Sequence, residues 1–169
     1  NLTIRKEINN MEKKMKVATI GCGNISHSHT QAYRRNPNVE IIACCDINFE
    51  RAQNYAKVYE IPAAYGSVDE LLEKEPELDA VSVCTWNNGH YECTMKALKA
   101  HKHVLCEKPM AMNAKEAQEM QDEAEKQGCV LQVGFVKRFA KTTRVFQDFQ
   151  EADTFGNIYL TKAIYTRRI

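Results

Sequence analysis

Glu107 and Lys108 stand side by side directly after His103-Val104-Leu105-Cys106, an apolar run that reads as a buried strand, and Pro109 follows them. A carboxylate and an ammonium are rarely placed at a core strand end unless they are paired or used. Together they can orient a polar ligand and move a proton, which is acid/base chemistry. Pro109 holds Lys108 in extended backbone geometry and so aims its side chain. The plainer alternative is a surface salt-bridge residue opening a loop.

Gly21-Cys22-Gly23-Asn24-Ile25-Ser26 points to a second chemistry, because it also follows an apolar run and opens a helical pattern. In that context Gly21 permits a tight turn and Gly23 lets backbone approach a pyrophosphate. Asn24 and Ile25 begin the helix, whose N-terminal amides and partial positive charge favour an anion. Ser26 stands where a third glycine would sit, at a place that needs a small side chain for close helix-strand packing. Asp46 ends the next apolar run about twenty residues further on, the position from which an acid accepts hydrogen bonds from an adenosine ribose. A carboxylate there repels a 2′-phosphate, so NAD is preferred to NADP, while Asn48 and Arg51 nearby soften that preference. Read singly, the glycines are also compatible with a simple turn and Asp46 with a strand-ending turn or helix cap.

The elements that must position these residues alternate in type. Lys16–Ile20 reads as a strand, Ile25–Arg35 as a helix, and Val39–Cys45 as a β-branched run of the kind buried on both faces. Ala52, Tyr55, Ala56 and Tyr59 share one helical face. Ala63–Tyr65 forms a short third strand, and Ser67-Val68-Asp69-Glu70 has capping-box form ahead of another helix. Asp79–Thr85 is a strand, Gly89–Ala100 a helix, His103–Cys106 a strand, Asn113 a cap for a helix ending at Gly128, and Cys129–Gly134 a sixth strand. Such alternation implies a doubly wound α/β fold with a parallel sheet, whose ligands bind outside the strand C-terminal ends. The glycine turn, Asp46, the segment Thr85–Asn88 and Glu107-Lys108 all fall at that edge.

Composition narrows the remaining classes. With 23 Lys and Arg against 22 Asp and Glu, the net charge of +1 carries no clustered basic face, which excludes a nucleic-acid footprint. No apolar stretch is long enough to span a bilayer, and the N-terminus has no signal-peptide core, so a soluble cytoplasmic protein without membrane partners is expected. The seven cysteines include no C-x-x-C. Cys44, Cys84, Cys106 and Cys129 lie in or beside apolar runs and read as buried reduced thiols. His101-Lys102-His103 lacks acidic or thiol companions at ligand spacing, so no metal site is expected.

Taken together, KVATIGCGNISHSH, IIACCDIN, VSVCTWNNGHYE and HKHVLCEKPM resemble the N-terminal half of the Gfo/Idh/MocA oxidoreductases, in order from Lys16 to about Arg138. The resemblance implies a Rossmann NAD(P) domain over residues 16–136 after an extension over 1–15, with residues 137–169 starting a second α/β substrate domain. It implies hydride transfer between nicotinamide and a sugar, inositol or related polyhydroxy substrate, and a homo-oligomer when full length. Lys108 matches the lysine that assists proton movement at the reacting hydroxyl, and Glu107 the neighbour that fixes the nicotinamide-ribose end. Thr85 and Asn87 match the cofactor-side segment after the fourth strand, and His90 matches as a further cofactor-side residue, with a structural role at the helix start as the plainer reading. An NAD-dependent glycoside hydrolase and a non-catalytic NAD-binding regulatory module are the alternatives.

Several departures carry expectations of their own. Trp86 replaces a proline of the family pattern and should cover the sheet edge, with packing over the adenine or nicotinamide side as the alternative. His101 takes a helix-ending position where glycine is common, so strain is expected there. His29 reads as a packing residue of the first helix. Phe139–Gln150 reads as a helix and Ile158–Arg168 as a strand that would open the substrate domain. The acid/base histidine of the family comes from beyond that strand, so the chain alone should bind cofactor and turn over slowly or not at all.

Overall fold

The computed structural model describes residues 14–164. In it the alternating runs become six parallel strands and the helices between them. In chain order these are β1 (Met15–Ile20), α1 (Asn24–Arg34), β2 (Val39–Cys45), α2 (Phe49–Tyr59), β3 (Ala63–Tyr65), α3 (Val68–Lys74), β4 (Ala80–Val83), α4 (His90–Lys99), β5 (His103–Cys106), α5 (Ala114–Gln127) and β6 (Leu131–Val133). The sheet order β3-β2-β1-β4-β5-β6 is the doubly wound order, with every pairing parallel. The direction of winding reverses between β1 and β4, so a crevice opens above their C-terminal ends.

Strand alternation sorts the core into two faces. Ala18, Ile20, Ala43, Cys45, Val81, Val83, Val104 and Cys106 meet Leu71 of α3, Ala97 and Leu98 of α4, and Met120 and Ala124 of α5. On the opposite face Cys44 packs with Cys22 and with Ala52, Tyr55 and Ala56 of α2. The α1 residues Ser26 and Thr30 are fully buried. The Ser26 hydroxyl donates to the Gly23 carbonyl at 2.6 Å, so this small residue is turned back onto the helix's own first turn.

Local chemistry sets the helix ends. Asn48, Ser67 and Asn113 accept from the amides of Arg51, Glu70 and Glu116 at 3.1, 3.1 and 2.9 Å. Glu70 and Glu116 reach back to the amides of Gly66 and Met112, so both caps are reciprocal. Gly128 closes α5 at φ 64°, and His101 follows α4 at φ 58°, the strained left-handed geometry expected there. The first strand starts at Met15, one residue earlier than expected, and the extension ahead of it lies outside the described residues apart from Lys14.

The chain divides into Asn1–Gly134 and Phe135–Ile169. The second unit contains a 3-10 turn, Val136–Phe139, and α6, Lys141–Glu151. Phe155 stacks on Phe146 at 5.2 Å and meets Phe149 edge-on at 6.0 Å. The strand expected over Ile158–Arg168 is not formed in its described part, 158–164, and its last residues lie outside the described ones. Alternation of Ile158, Leu160 and Ile164 supplies one apolar face, but a strand also needs a backbone partner, and none pairs here among the described residues. Tyr159 is accordingly 97% exposed.

Candidate active site

The glycine turn is shaped by contact with the neighbouring strand end. Gly21 has φ 89°, and a Cβ there would lie 2.8 Å from the carbonyl of Cys84 and the amide of Thr85. Both are backbone atoms, so only glycine fits where β1 and β4 part. Gly23 differs: a Cβ on it would meet no described atom within 4 Å. Internal packing does not demand glycine there, which fits close approach of a ligand from the crevice side. Gly23 caps α1 without a side-chain hydrogen bond, and Asn24 and the 42%-exposed Ile25 begin the helix. Among the described residues the first turn of α1 thus has no side-chain cap, and its amides suit a diphosphate.

Asp46 leaves β2 beside this turn and is buried. Its Oδ2 accepts from the Cys22 amide at 2.9 Å and its Oδ1 from the Asn48 amide at 2.8 Å. The carboxylate thus ties the glycine turn to the start of α2. Arg51, in the first turn of α2, places Nη1 3.5 Å from both carboxylate oxygens. The Cys22 thiol is raised by its hydrogen bond with Cys44, by burial and by the Asp46 charge, and so stays protonated.

After β4 the chain crosses the top of the crevice. Thr85 is half-buried, and a Cβ on Gly89 would lie 2.9 Å from its Oγ1, so Gly89 admits a tight 3-10 turn over Asn87–Gly89. Asn87 is exposed at the start of that turn. His90 is 1% exposed, with Nδ1 2.6 Å from the Pro109 carbonyl and Nε2 3.2 Å from the Thr85 carbonyl. It sits under the two loops and joins them, rather than facing the crevice. The Trp86 indole does not cover the sheet edge: it is 81% exposed, because Trp86 precedes the 3-10 turn in extended geometry and projects outward.

Glu107 and Lys108 follow β5 and separate in character. Glu107 is buried while Lys108 is exposed, and the Lys108-Pro109 peptide is cis. Glu107 Oε2 accepts from the Lys108 amide at 3.2 Å, and Oε1 lies 3.0 Å from His29 Nε2. A Cβ on Gly134, just beyond β6, would come within 3.0 Å of the same Oε1. Burial pushes the Cys84 thiol up to about 12, with the nearby Glu107 charge adding to it, and burial likewise pushes Cys106 up to about 11.

His29 is more than a packing residue. Besides Glu107 it touches Ser82 Oγ through Nδ1 at 3.1 Å, and the Tyr33 hydroxyl contacts the same Ser82 oxygen. Two sequence signals point to this group: His29 and Tyr33 are spaced i, i+4 on α1, and Ser82 interrupts an apolar strand. Among the described residues no group of three His, Cys, Asp or Glu side chains could hold a metal ion, and no helix is long and apolar enough to cross a membrane. All seven cysteines are free thiols.

Comparison with known proteins matches residues 15–135 to the GFO_IDH_MocA family, described as an oxidoreductase family with an NAD-binding Rossmann fold. The chain is 38% identical over 156 residues to D-glucoside 3-dehydrogenase of Escherichia coli, covering 91% of this chain and 44% of that protein. It is 30% identical over 148 residues to myo-inositol 2-dehydrogenase of Thermotoga maritima, covering 88% and 44%. The chain therefore spans less than half the length of these relatives. Among solved structures, the WlbA dehydrogenase of Bordetella pertussis, in complex with NADH and UDP-GlcNAcA, superposes with a TM-score of 0.83 at 26% identity, covering 87% of this chain and 45% of that one. With the matched segment spanning β1 to β6 and the whole crevice edge, the chain belongs to the Gfo/Idh/MocA oxidoreductase family and contains its NAD-binding Rossmann domain.

Proposed function

We propose that the chain is the cofactor-holding part of an NAD(P)-dependent dehydrogenase that moves hydride between nicotinamide and a sugar, inositol or related polyhydroxy compound. The observation that carries this reading is convergence: Gly21 and Gly23, Asp46, Thr85 and Asn87, and Glu107-Lys108 all lie at the C-terminal edge of β1, β2, β4 and β5, around the point where strand order reverses. The relatives named as glucoside and inositol dehydrogenases support the substrate class.

A bound nicotinamide dinucleotide supplies hydride exchange at its ring. The α1 amides and the open face of Gly23 receive its diphosphate, and Asp46 accepts from the adenosine ribose. Asn87 and Thr85 border the middle of the crevice, and Glu107 steadies the nicotinamide-ribose end. Lys108 Nζ, exposed at the same edge, exchanges the proton of the reacting hydroxyl. Where a polyhydroxy substrate is turned over, Lys108→Ala should lower kcat by about 10²–10⁴-fold while cofactor affinity persists. Undiminished kcat in this variant would remove Lys108 from the proton step.

NAD is preferred because Asp46 repels a 2′-phosphate, yet Arg51 sits 3.5 Å from that carboxylate and offsets part of its charge. Calorimetric titration with NAD and NADP tests both roles. The protein should bind NAD more tightly, and Asp46→Ala should release Arg51 to a 2′-phosphate and shift the ratio toward NADP by roughly tenfold or more. If the folded protein binds neither nucleotide, the cofactor-holding reading fails. If Asp46→Ala leaves the ratio unchanged, Asp46 serves only to hold the glycine turn.

A further inference from the structure

The buried polar group beneath Lys108 has a definite direction. Glu107 and His29 expose only 8% and 11% of their side chains, yet their contact spans α1 and the end of β5. A carboxylate only accepts, so His29 Nε2 carries the proton that bridges the 3.0 Å to Glu107 Oε1. In the neutral ring Nδ1 is then an acceptor, and the Ser82 hydroxyl donates to it across 3.1 Å. Ser82 Oγ in turn accepts from the Tyr33 hydroxyl, a phenol that burial keeps protonated. Every donor in the row Tyr33, Ser82, His29, Glu107 thus meets one acceptor, and the second Glu107 oxygen holds the Lys108 amide at 3.2 Å. Gly134 lies close against the same Glu107 Oε1 that faces His29, where a Cβ would stand 3.0 Å from that oxygen and require the carboxylate to shift.

We propose that His29 is a positioning residue for the nicotinamide end of the site: the acceptor-only Glu107 carboxylate sets its Nε2–H tautomer, the Ser82 hydroxyl satisfies Nδ1, and the Nε2–H orients Glu107 and, through it, the backbone of Lys108. The assignment rests on the dinucleotide reading above. His29 lies five residues after Asn24, about 7 Å along the α1 axis, so the helix whose first turn faces the diphosphate also braces the other end of the crevice. Losing the imidazole leaves Glu107 Oε1 without its donor and the carboxylate held only by the Lys108 amide, freer to turn away from the ligand.

The test compares NADH with ADP, which has the adenosine and diphosphate but neither the second ribose nor the nicotinamide. His29→Ala should weaken NADH binding about tenfold and change ADP binding less than about twofold. His29→Gln, which restores an N–H donor of similar reach, should recover most of the loss, and Ser82→Ala should weaken NADH alone by several-fold. Nitrogen-15 spectra of the His29 ring in the unaltered protein should show a neutral Nε2–H tautomer without any nucleotide present. Equal losses for NADH and ADP, no loss for either, or a proton found on Nδ1 would each overturn the assignment. Should His29→Ala fail to fold, the Gln and Ser82→Ala variants decide by the same comparison. A protein that shows the tautomer but binds neither nucleotide refutes the dinucleotide reading and not the hydrogen-bond row.

Discussion

At the scale of single residues, two glycines that look alike in the sequence carry different constraints. Gly21 is required by its own fold, since φ 89° and backbone atoms at 2.8 Å leave no space for a methyl group. Gly21→Ala should therefore destabilise the protein by well over ~1 kcal/mol, read as a lowered denaturation midpoint. Gly23→Ala meets no described atom within 4 Å and has φ −87°, so it should leave stability within about 0.5 kcal/mol while weakening nucleotide binding. Equal stability losses in the two variants would contradict this division. The same scale explains Asp46, whose carboxylate has structural work with the Cys22 and Asn48 amides besides any ligand contact. A carboxylate held by backbone donors is already oriented before any ligand arrives.

At the scale of elements, helix starts decide where the loops of the crevice lie. Asn113 caps α5 and fixes the end of the loop that begins with Glu107-Lys108, through the 2.9 Å bond from the Glu116 amide and the reciprocal 3.1 Å bond from Met112 to Glu116. Asn113→Ala should cost about 1 kcal/mol, measured by denaturant unfolding. A midpoint unchanged within error would show that the Glu116 carboxylate alone suffices. α1 shows how a polar helix is held: Ser26 and Thr30 face inward, and Thr30 meets the Tyr55 hydroxyl at 2.6 Å while His27 Nδ1 meets that of Tyr59 at 2.7 Å. Its inner face is thus secured in part by hydrogen bonds to α2 and β4.

At the scale of the whole molecule, buried thiols link stability to alkaline pH. Burial raises Cys45 and Cys84 to about 12 and Cys106 to about 11, from an ordinary 9.0. The folded state keeps these protons at pH values where the unfolded chain has lost them, so unfolding releases protons there. The contribution is complete below about pH 9 and disappears as pH rises through 11–12. Melting temperature should accordingly stay level near neutrality and fall steeply above about pH 9. A flat profile up to pH 11 would mean the thiols ionise without unfolding. The same burial should keep these thiols from alkylation at neutral pH unless the protein unfolds.

What the sequence by itself determined is the alternation of elements and the strand edge at which the candidate residues gather. Ala63–Tyr65 and His103–Cys106 are strands residue for residue, and the Ser67 and Asn113 caps act where their spacing places them, because period and capping are local properties. The glycine turn, Asp46 and Glu107-Lys108 were legible for the same reason: each follows its own strand directly. Tertiary structure alone decided which side chains meet across the sheet. His29, Ser82 and Glu107 lie far apart in the chain, and only the crossing of α1 over β4 and β5 brings them within hydrogen-bonding distance. It also decided that Trp86 projects outward, that His90 braces two loops, and that residues 158–164 form no strand despite their alternation. A pattern of side chains can prepare one face of a strand, but the hydrogen-bonding partner that completes it must come from elsewhere in the fold.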